Sequence, residues 1–381
     1  MNRDLKLIND WAYQWKMQFN PDPLKQAQEV IFSRKLKDIN HPNLIFNNSV
    51  VNKVSCQKHL GLLLDHKLDF NEHLKIVTSK VSKGVGLLRK LNRILPRSSL
   101  LTIYKSFVRP HLDYGDIVFN QAFNESFHNK LEKLQYSAAL AITGAIRGSS
   151  KVRLYEELGL ESLQLRRWFR KLVVFYKLNF GKHPEYLYNL IPKRECPYQT
   201  RQSNDIPLLK VNHDFFKNSF FPSVVIDWNK LDSNIITSAS LEKFKNSLLK
   251  IIRPKSNCIF DIHNPLGVKL LTRLRLGLSH LHDHKFRYNF QDCLNPLCVC
   301  SNNVEDCIHF FLHCQNYNAE RQTLFDKISA VNAAVLNLCD SEIVRVLLFG
   351  DPSLTFQENK VLLTASVSYI LETKRFEGQL M

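Results

Sequence analysis

The sequence predicts a mainly α-helical protein with a small β-hairpin region at its N-terminus and a helical C-terminal domain that carries a cysteine-rich module. Three observations support this prediction. Strand-like segments are confined to the first 65 residues, apolar residues recur at helical spacing beyond residue 71, and cysteines cluster near the C-terminus. With 381 residues and 44% hydrophobic side chains, the chain is long enough for two or three domains.

The N-terminal region, residues 1–65, combines one helix with short strands. Apolar residues at helical spacing predict a helix within residues 1–20, and the prolines at 21 and 23 end it. The adjacent Asn47 and Asn48 tolerate left-handed turn geometry, so residues 44–51 are predicted to form a β-hairpin. Residues 59–65 are almost all apolar and predict a buried strand. Because so few strands leave an open sheet, this region is expected to be part of a larger domain.

The next segment, residues 66–180, is predicted to be a helical lobe. A long helix beginning near residue 71 ends before Pro96, and further helices are predicted at residues 100–110, 127–143 and 163–180. Cations lie mainly off the apolar face of the long helix. That face is formed by Leu74, Val77, Val81, Val85 and Leu88.

The remaining chain divides into two predicted parts. Residues 181–264 are rich in proline and aromatic residues, which predicts an irregular but packed connector. Residues 265–381 return to helical periodicity and are interrupted by the cysteine-rich module at residues 293–314.

The positive charge of the chain is concentrated. The net charge is +17, and residues 66–110, 161–180 and 265–290 together account for +16 of it. This concentration favours a polyanionic partner such as nucleic acid or an anionic membrane surface. Solvated faces of ordinary helices remain the alternative. No apolar stretch reaches the roughly 18 residues of a membrane span, and the N-terminus lacks the features of a signal peptide, so no membrane partner is expected.

Five of the nine cysteines lie in residues 293–314, which read CLNPLCVCSNNVEDCIHFFLHC. In a reducing compartment such a cluster favours metal ligation over disulfides. The best ligand set has the spacing C-x-C-x8-H-x4-C and predicts a structural Zn²⁺ site, since four soft ligands close the coordination shell. The alternatives are that Cys293, Cys307 or His313 replaces one member, or that the thiols are free and buried. The predicted set is Cys298, Cys300, His309 and Cys314.

Several segments in order along the chain resemble one protein family. The run WKMQFNP at residues 15–21, HLGLLLD at 59–65, YKSFVRPHLDYG at 104–115 and the CVC and HFFLHC motifs of the cysteine module carry the resemblance. They are similar to the C-terminal portion of reverse transcriptases, the RNA-directed DNA polymerases of LINE-type, jockey-like retrotransposons without long terminal repeats.

This resemblance implies that residues 1–65 are the end of the polymerase palm and that residues 66–180 are a thumb. The family's catalytic carboxylates lie upstream, the last two in an F/Y-x-D-D turn, and no Asp-Asp pair occurs in this sequence. No catalytic residue is therefore predicted here, and the chain is expected to be inactive alone. Mg²⁺ would belong only to the full-length parent enzyme, together with upstream palm, fingers and endonuclease domains.

The predicted partners are the RNA template and the DNA primer or target, bound for target-primed reverse transcription. Two alternatives are a free-standing nucleic-acid-binding protein derived from a retroelement, and a decayed, non-functional copy. An intracellular ribonucleoprotein in nucleus and cytoplasm is the expected location. A thumb binds backbone phosphates through Lys and Arg, and Lys25 resembles a lysine of the late palm. The predicted nucleic-acid contacts are Lys25, Lys80, Lys83, Arg89, Lys90, Arg93, Arg166, Arg167 and Arg170.

Overall fold

The computed structural model describes residues 1–19, 27–35, 39–119, 125–181, 184–193, 206–252, 259, 262–300 and 303–377. Over these residues the protein is mainly helical with a few small sheets, which confirms the predicted fold class. No helix within these ranges is both long and apolar enough to cross a membrane.

The N-terminal region contains helix α1 (Asn2–Gln14) and three two-stranded sheets. The predicted hairpin is confirmed, because β2 (Ile45–Phe46) and β3 (Ser49–Val50) pair antiparallel across two asparagines with φ of 50° and 58°. β1 (Gln28–Glu29) pairs parallel with β4 (Asn52–Lys53), and β5 (Cys56–His59) pairs antiparallel with β6 (Leu62–Asp65).

The prediction of one buried strand over residues 59–65 is wrong. Leu60 and Gly61 form the turn of the β5–β6 hairpin, and Leu60 is 79% exposed. Gly61 has φ +86°, a conformation that glycine adopts without steric cost. A tight turn made of apolar residues does not interrupt the apolar run in the sequence, so the turn could not be distinguished from a strand.

The thumb-like lobe is built around α2 and α6, which pack against each other. Leu74, Val81 and Leu88 of the predicted apolar face are buried, as that prediction requires. A π-helical turn, Tyr104–Val108, separates α3 from α4. The helices of this lobe are α2 (Asn71–Leu91), α3 (Arg97–Ile103), α4 (Arg109–Asp113), α5 (Asp116–Phe119), α6 (Glu125–Thr143), α7 (Lys151–Leu158) and α8 (Leu163–Asn179).

The connector segment packs on α8 through an aromatic core. Phe175 of α8 lies 5.1 Å from Trp228, whose ring lies 5.6 Å from that of Phe244 (centroid distances). The connector therefore has its own helices and a core shared with α8, while the domain boundaries themselves stay a prediction. Its helices are α9 (Glu185–Tyr188), α10 (Asp214–Lys217), α11 (Phe220–Trp228), α12 (Ser233–Ile236) and α13 (Leu241–Ile252).

In the C-terminal lobe, α18 packs against α14, α16 and α17. Thr355 and Glu358 form a capping box that begins α18, since each side chain bonds the backbone N–H of the other residue. The helices are α14 (Pro265–Arg275), α15 (His282–Arg287), α16 (Asn318–Asn332), α17 (Asp340–Phe349) and α18 (Phe356–Glu372), with a π-helical turn at His309–His313.

Helix α14 docks the C-terminal lobe onto the thumb-like lobe. Lys269 Nζ donates to the carbonyl of Asn92 at 2.6 Å, and Arg273 Nε donates to that of Gly144 at 2.9 Å. These carbonyls lie at the C-terminal ends of α2 and α6, where the partial charge of a helix is negative. We call this contact the α14 seam.

Candidate nucleic-acid and metal sites

Four of the predicted phosphate contacts lie on the exposed side of α2, and a fifth, Arg93, is exposed two residues after the end of the helix. Their side chains leave the helix away from its buried apolar face. No ion pair with a carboxylate is formed by any of them in the part of the chain that the structure describes. Unpaired cations along one helix provide a surface that can contact a row of phosphates. This surface, named the α2 ridge, consists of Lys80, Lys83, Arg89, Lys90 and Arg93.

Arg166 and Arg170 of α8 are held by carboxylates of the lobe itself. Arg166 donates to Asp113 at 2.8 and 2.7 Å and to Glu161 at 2.9 Å. Arg170 lies 3.1 Å from a carboxylate oxygen of Asp116, which is 1% exposed. Burial raises the pKa of Asp116 to about 6, and the charge of Arg170 opposes this shift. These pairs favour a structural role, and phosphate binding by the two arginines stays a prediction.

Arg167 is directed into the protein. It is 5% exposed, its Nη1 lies 3.0 Å from His128 Nδ1, and its guanidinium lies 5.6 Å from the ring centroid of Phe119. Burial lowers its pKa. This geometry favours a packing role for Arg167 inside the lobe. Contact between Arg167 and a phosphate stays a prediction. Lys25 lies outside the described residues.

The positive charge of residues 265–290 is used within the protein as well. Two cations of α14 bond helix ends at the α14 seam, and a third, Arg275, lies 2.9 Å from Glu157. Lys285 and Arg287 contact Asp292 and Asp283. Three of the five cations in this segment therefore join the two lobes, and the other two form ion pairs within the C-terminal lobe.

The four predicted metal ligands come together. Their donor atoms all lie within 4.8 Å of one another, with Cys298 Sγ 3.8 Å from Cys314 Sγ and Cys300 Sγ 3.1 Å from His309 Nε2. With Zn–S bonds of about 2.3 Å, two thiolates of a tetrahedral zinc site lie about 3.8 Å apart. The cluster therefore has the donor types and the spacing to hold a metal ion.

Two local structures position these donors. Cys298 and Cys300 lie on a hairpin in which Cys298 N donates to Asn303 O at 2.8 Å, beside an antiparallel bridge between Leu297 and Val304. His309 and Cys314 lie at the start of the π-helical turn and directly after it, and Cys314 N donates to His309 O at 2.8 Å. The wider turn places both donors on the same side as the hairpin.

A buried ion pair supports the hairpin. Glu305, which is 3% exposed, accepts bonds from Arg375 at 2.6 and 2.7 Å and from the backbone N–H of His282 at 2.8 Å. Burial alone would raise the pKa of Glu305, but the hydrogen bonds and charge of Arg375 hold it below its ordinary value. Arg321 donates to Phe311 O at 3.0 Å and thereby fixes the other half of the site.

The alternative ligands have other surroundings. Cys293 Sγ lies 3.1 Å from Asn295 O, and His313 Nε2 lies 2.7 Å from a carboxylate oxygen of Asp340. Cys307 packs against the apolar core of the C-terminal lobe. Burial raises the pKa of Cys298 to about 12, so a metal ion must displace its thiol proton in order to bind.

Several residues that support these sites were not predicted. The ion pair of Glu305 and Arg375 joins residues 70 positions apart in the sequence, and that of Asp113 and Arg166 joins residues 53 positions apart. No local pattern in a single sequence indicates such pairs.

Comparison with known proteins identifies relatives of one kind. The chain is 28% identical over 160 residues to a probable RNA-directed DNA polymerase from transposon X-element of Drosophila melanogaster, covering 41% of this chain and 17% of the relative. It is 29% identical over 146 residues to the RNA-directed DNA polymerase from mobile element jockey of the same species, covering 37% and 15%. For the probable polymerase from transposon BS, identity is 27% over 169 residues, covering 42% and 18%.

No family model matches the chain. The matched part spans less than a fifth of each of these curated relatives. Over about two fifths of its length, the chain is thus homologous to RNA-directed DNA polymerases of jockey-like non-LTR retrotransposons, which confirms the resemblance seen in its motifs.

Proposed function

We propose that the chain is the C-terminal part of a retrotransposon RNA-directed DNA polymerase and that it holds the RNA template–DNA primer hybrid for target-primed reverse transcription. The observation that carries this proposal is the α2 ridge, whose exposed cations face no carboxylate within the described residues. Homology to polymerases supports a template–primer duplex as the ligand of the ridge, since a polymerase must hold its duplex without reading its sequence.

The ridge would act through the phosphate backbone. Each Lys or Arg that neutralises a phosphate releases condensed counterions, so binding is favourable and weakens as salt rises. An RNA–DNA hybrid is recognised mainly by its shape and backbone. The exposed Lys and Arg side chains of the ridge only donate hydrogen bonds, which suits contact with phosphate oxygens rather than reading of bases. Polymerisation itself would need carboxylates and Mg²⁺ from the upstream palm and fingers, as well as the endonuclease domain for the nick.

The binding proposal is tested by measuring the affinity for an RNA–DNA hybrid over a series of salt concentrations. The triple variant Lys83→Glu, Arg89→Glu, Lys90→Glu should bind more weakly, and the slope of log affinity against log salt should fall by about one for each phosphate that the variant no longer neutralises. The matched control reverses the same number of exposed cations elsewhere: Lys243→Glu, Lys250→Glu and Lys327→Glu. An affinity independent of salt, or an equal weakening in the control, would contradict the proposal.

Catalysis is tested separately. The purified chain is expected to give no Mg²⁺-dependent primer extension, because its sequence contains no Asp-Asp pair that could complete a two-metal site. Detectable extension by the purified chain would show that catalysis does not need the upstream domains, which contradicts the proposal.

We also propose that the cluster of Cys298, Cys300, His309 and Cys314 holds a structural Zn²⁺ ion. Zinc would cross-link the paired segments at residues 296–300 and 303–305 to the π-helical turn and neutralise the thiolates that burial otherwise disfavours. With four protein ligands the site has no open position, so it would stabilise the lobe rather than activate water.

The zinc proposal predicts one bound zinc ion in native mass spectrometry and a loss of thermal stability in Cys298→Ser. Structural zinc sites contribute directly to folding, so this variant and treatment with a strong chelator should lower the melting temperature to a similar extent. Cys339→Ser is the matched control, because Cys339 is exposed and lies outside the cluster. Protein that contains no zinc, together with an unchanged melting temperature in Cys298→Ser, would rule the site out.

A further inference from the structure

A cavity of about 890 Å³ lies where α7 of the thumb-like lobe meets α14, α17 and the turn between α17 and α18. Cavities of this size between two packed units are common places for ligands to bind. The wall includes two aromatic side chains that solvent reaches, Phe349 at 47% and Phe356 at 53% exposure. Large apolar side chains left exposed around one cavity indicate a contact surface for another molecule.

The wall formed by the turn between α17 and α18 is fixed in place. Asn359 of α18 accepts a hydrogen bond from the backbone N–H of Asp351 at 2.7 Å and donates to the carbonyls of Asp351 and Leu354 at 2.8 and 3.1 Å. Gly350 has φ +79°, and a Cβ atom there would overlap Asn359 Oδ1, so only glycine allows the turn to lie this close to α18. The cavity is therefore formed before a ligand binds.

Two exposed arginines of the lining form no ion pair in the part of the chain that the structure describes. They are Arg153 of α7 and Arg345 of α17, so one comes from each lobe. Arg153 Nη1 would lie 4.0 Å from a Cβ atom at Gly277, so its side chain reaches across from α7 to the turn after α14. A guanidinium group has a planar fork of donors that matches the two oxygens of a carboxylate. The two arginines therefore favour a ligand that carries an anionic group.

The carboxylates of the lining make a polyanion a poor ligand. Glu157 faces Arg275 at 2.9 Å. Hydrogen bonds from the backbone N–H and hydroxyl of Ser353 lower the pKa of Asp351, and the charge of Arg345 lowers it further. Three arginines and three carboxylates leave the lining without net charge. Successive phosphates of RNA or DNA would meet like charges here, whereas one carboxylate on an otherwise apolar ligand can bind a guanidinium group without them.

We propose that this cavity binds a segment of a partner protein in which a carboxylate lies beside an aromatic or aliphatic side chain. The apolar side chain would pack along Phe349, Leu354 and Phe356, and the carboxylate would accept paired hydrogen bonds from Arg153 or Arg345. Binding energy in protein interfaces is concentrated in a few such anchors. The inference goes beyond the proposed function and does not depend on it, because no residue of the α2 ridge lines this cavity.

The experiment selects binders from a random peptide library against the full chain. Enriched peptides should share an Asp or Glu next to an aromatic or aliphatic residue. A synthetic copy of the most enriched peptide should bind about tenfold more weakly to the double variant Arg153→Gln, Arg345→Gln, because a hydrogen bond to a charged group typically contributes at least this much. The matched control, Arg3→Gln with Arg147→Gln, removes two exposed arginines outside the cavity and should leave the affinity unchanged.

The apolar part of the cavity is tested on α18. Phe356→Ala should weaken binding of the same peptide several-fold, because the ring lines the cavity. Val361→Ala is the control on the same helix, since Val361 is 52% exposed and lies outside the cavity. Both replacements are at exposed positions and leave the buried core intact.

Three outcomes would overturn the proposal. The first is a selection without enrichment, and the second is a peptide whose affinity is unchanged both in the double variant and in Phe356→Ala. The third is a peptide that loses affinity only in the variant of the α2 ridge, since it would then bind the ridge. Single-stranded oligouridine is measured in parallel, and loss of its binding in the double variant, with no peptide enriched, would identify nucleic acid as the ligand instead. Failure of hybrid binding at the ridge would contradict the proposed function and leave the peptide result unaffected.

Discussion

His73 shows how one buried side chain links the stability of the protein to pH. Burial lowers its pKa from the ordinary value of 6.5, and the charge of Lys80 lowers it further. Above pH 6.5 the residue is neutral in both the folded and the unfolded chain. Below that value the unfolded chain binds the proton first, so the stability contributed by neutral His73 is lost as the pH falls through 6.5 towards the folded pKa.

We therefore predict that the free energy of unfolding declines as the pH is lowered from 7 to 5 and that His73→Phe reduces this decline. One proton contributes at most about 1.4 kcal/mol per pH unit. Urea unfolding in phosphate-free buffer at several pH values measures both slopes. His111, whose pKa is lowered by burial and by Lys80, is unchanged in the variant, so the two proteins differ at one titrating site. Equal slopes would contradict the assignment.

Single cations in this protein differ in role according to what lies opposite them. Lys83 and Arg89 on α2 face solvent, whereas Arg166 on α8 faces Asp113 from the end of α4. The sequence shows the charge of all three equally and therefore predicted phosphate contacts at all three. Which carboxylate folds against which arginine depends on tertiary packing, and this is why local charge density in the sequence does not show which cations stay free of a carboxylate.

At the scale of elements, α2 depends on a close approach to the π-helical turn. A Cβ atom at Gly84 would lie 2.7 Å from Val108 Cγ2, and Val108 is 1% exposed. Gly86, on the same helix, has no atom within 4 Å of such a Cβ. These two glycines of one helix therefore have opposite roles: the first is required by packing, whereas the second only weakens the helix.

We predict that Gly86→Ala raises the free energy of unfolding by about 0.5–1 kcal/mol, the usual gain for this change inside a helix. Gly84→Ala should instead lower it by about 1–3 kcal/mol, because the added methyl group overpacks a filled core. Thermal or urea unfolding of the two variants tests both signs, and each variant is the control of the other. Stabilisation by Gly84→Ala would mean that α2 and the π-helical turn separate easily.

The helical spacing of apolar residues predicted the regular helices and missed the turns that do not change this spacing. The buried face of α2 and the ends of α6 and α8 followed from the spacing of apolar residues, because that spacing reflects one helix packed on one core. The turn at Leu60 and Gly61 lies within an apolar run, and the π-helical turn at Tyr104–Val108 lies within a helical pattern, so neither interrupts the periodicity of the sequence. For the Cys/His cluster, residue types and spacing were sufficient to predict that Cys298, Cys300, His309 and Cys314 lie together.

At the scale of the molecule, the two lobes are joined by buried charge. Arg97 of α3 and Arg275 of α14 both face Glu157 of α7, at 3.4 and 2.9 Å, and all three residues are at least nine-tenths buried. Arg97 also donates to Thr272. Burial lowers the pKa of Arg97 to about 10, and Glu157 opposes this shift. One carboxylate therefore stabilises two guanidinium groups, one from each lobe, at the α14 seam.

This arrangement predicts that Glu157→Gln separates the lobes or unfolds the chain more easily. Removing the carboxylate that both arginines face leaves two buried cations close together, and the loss of one partner from a buried ion pair costs about 3–5 kcal/mol. Urea unfolding and the hydrogen-exchange rates of α14 measure this cost. Glu156→Gln removes the same charge one position away from an exposed side chain and should change both measurements little. If Glu157→Gln matched that control, the α14 seam would be held by the helix-end bonds of Lys269 and Arg273 and by apolar packing, and the buried ion pairs would contribute nothing to the docking of the lobes.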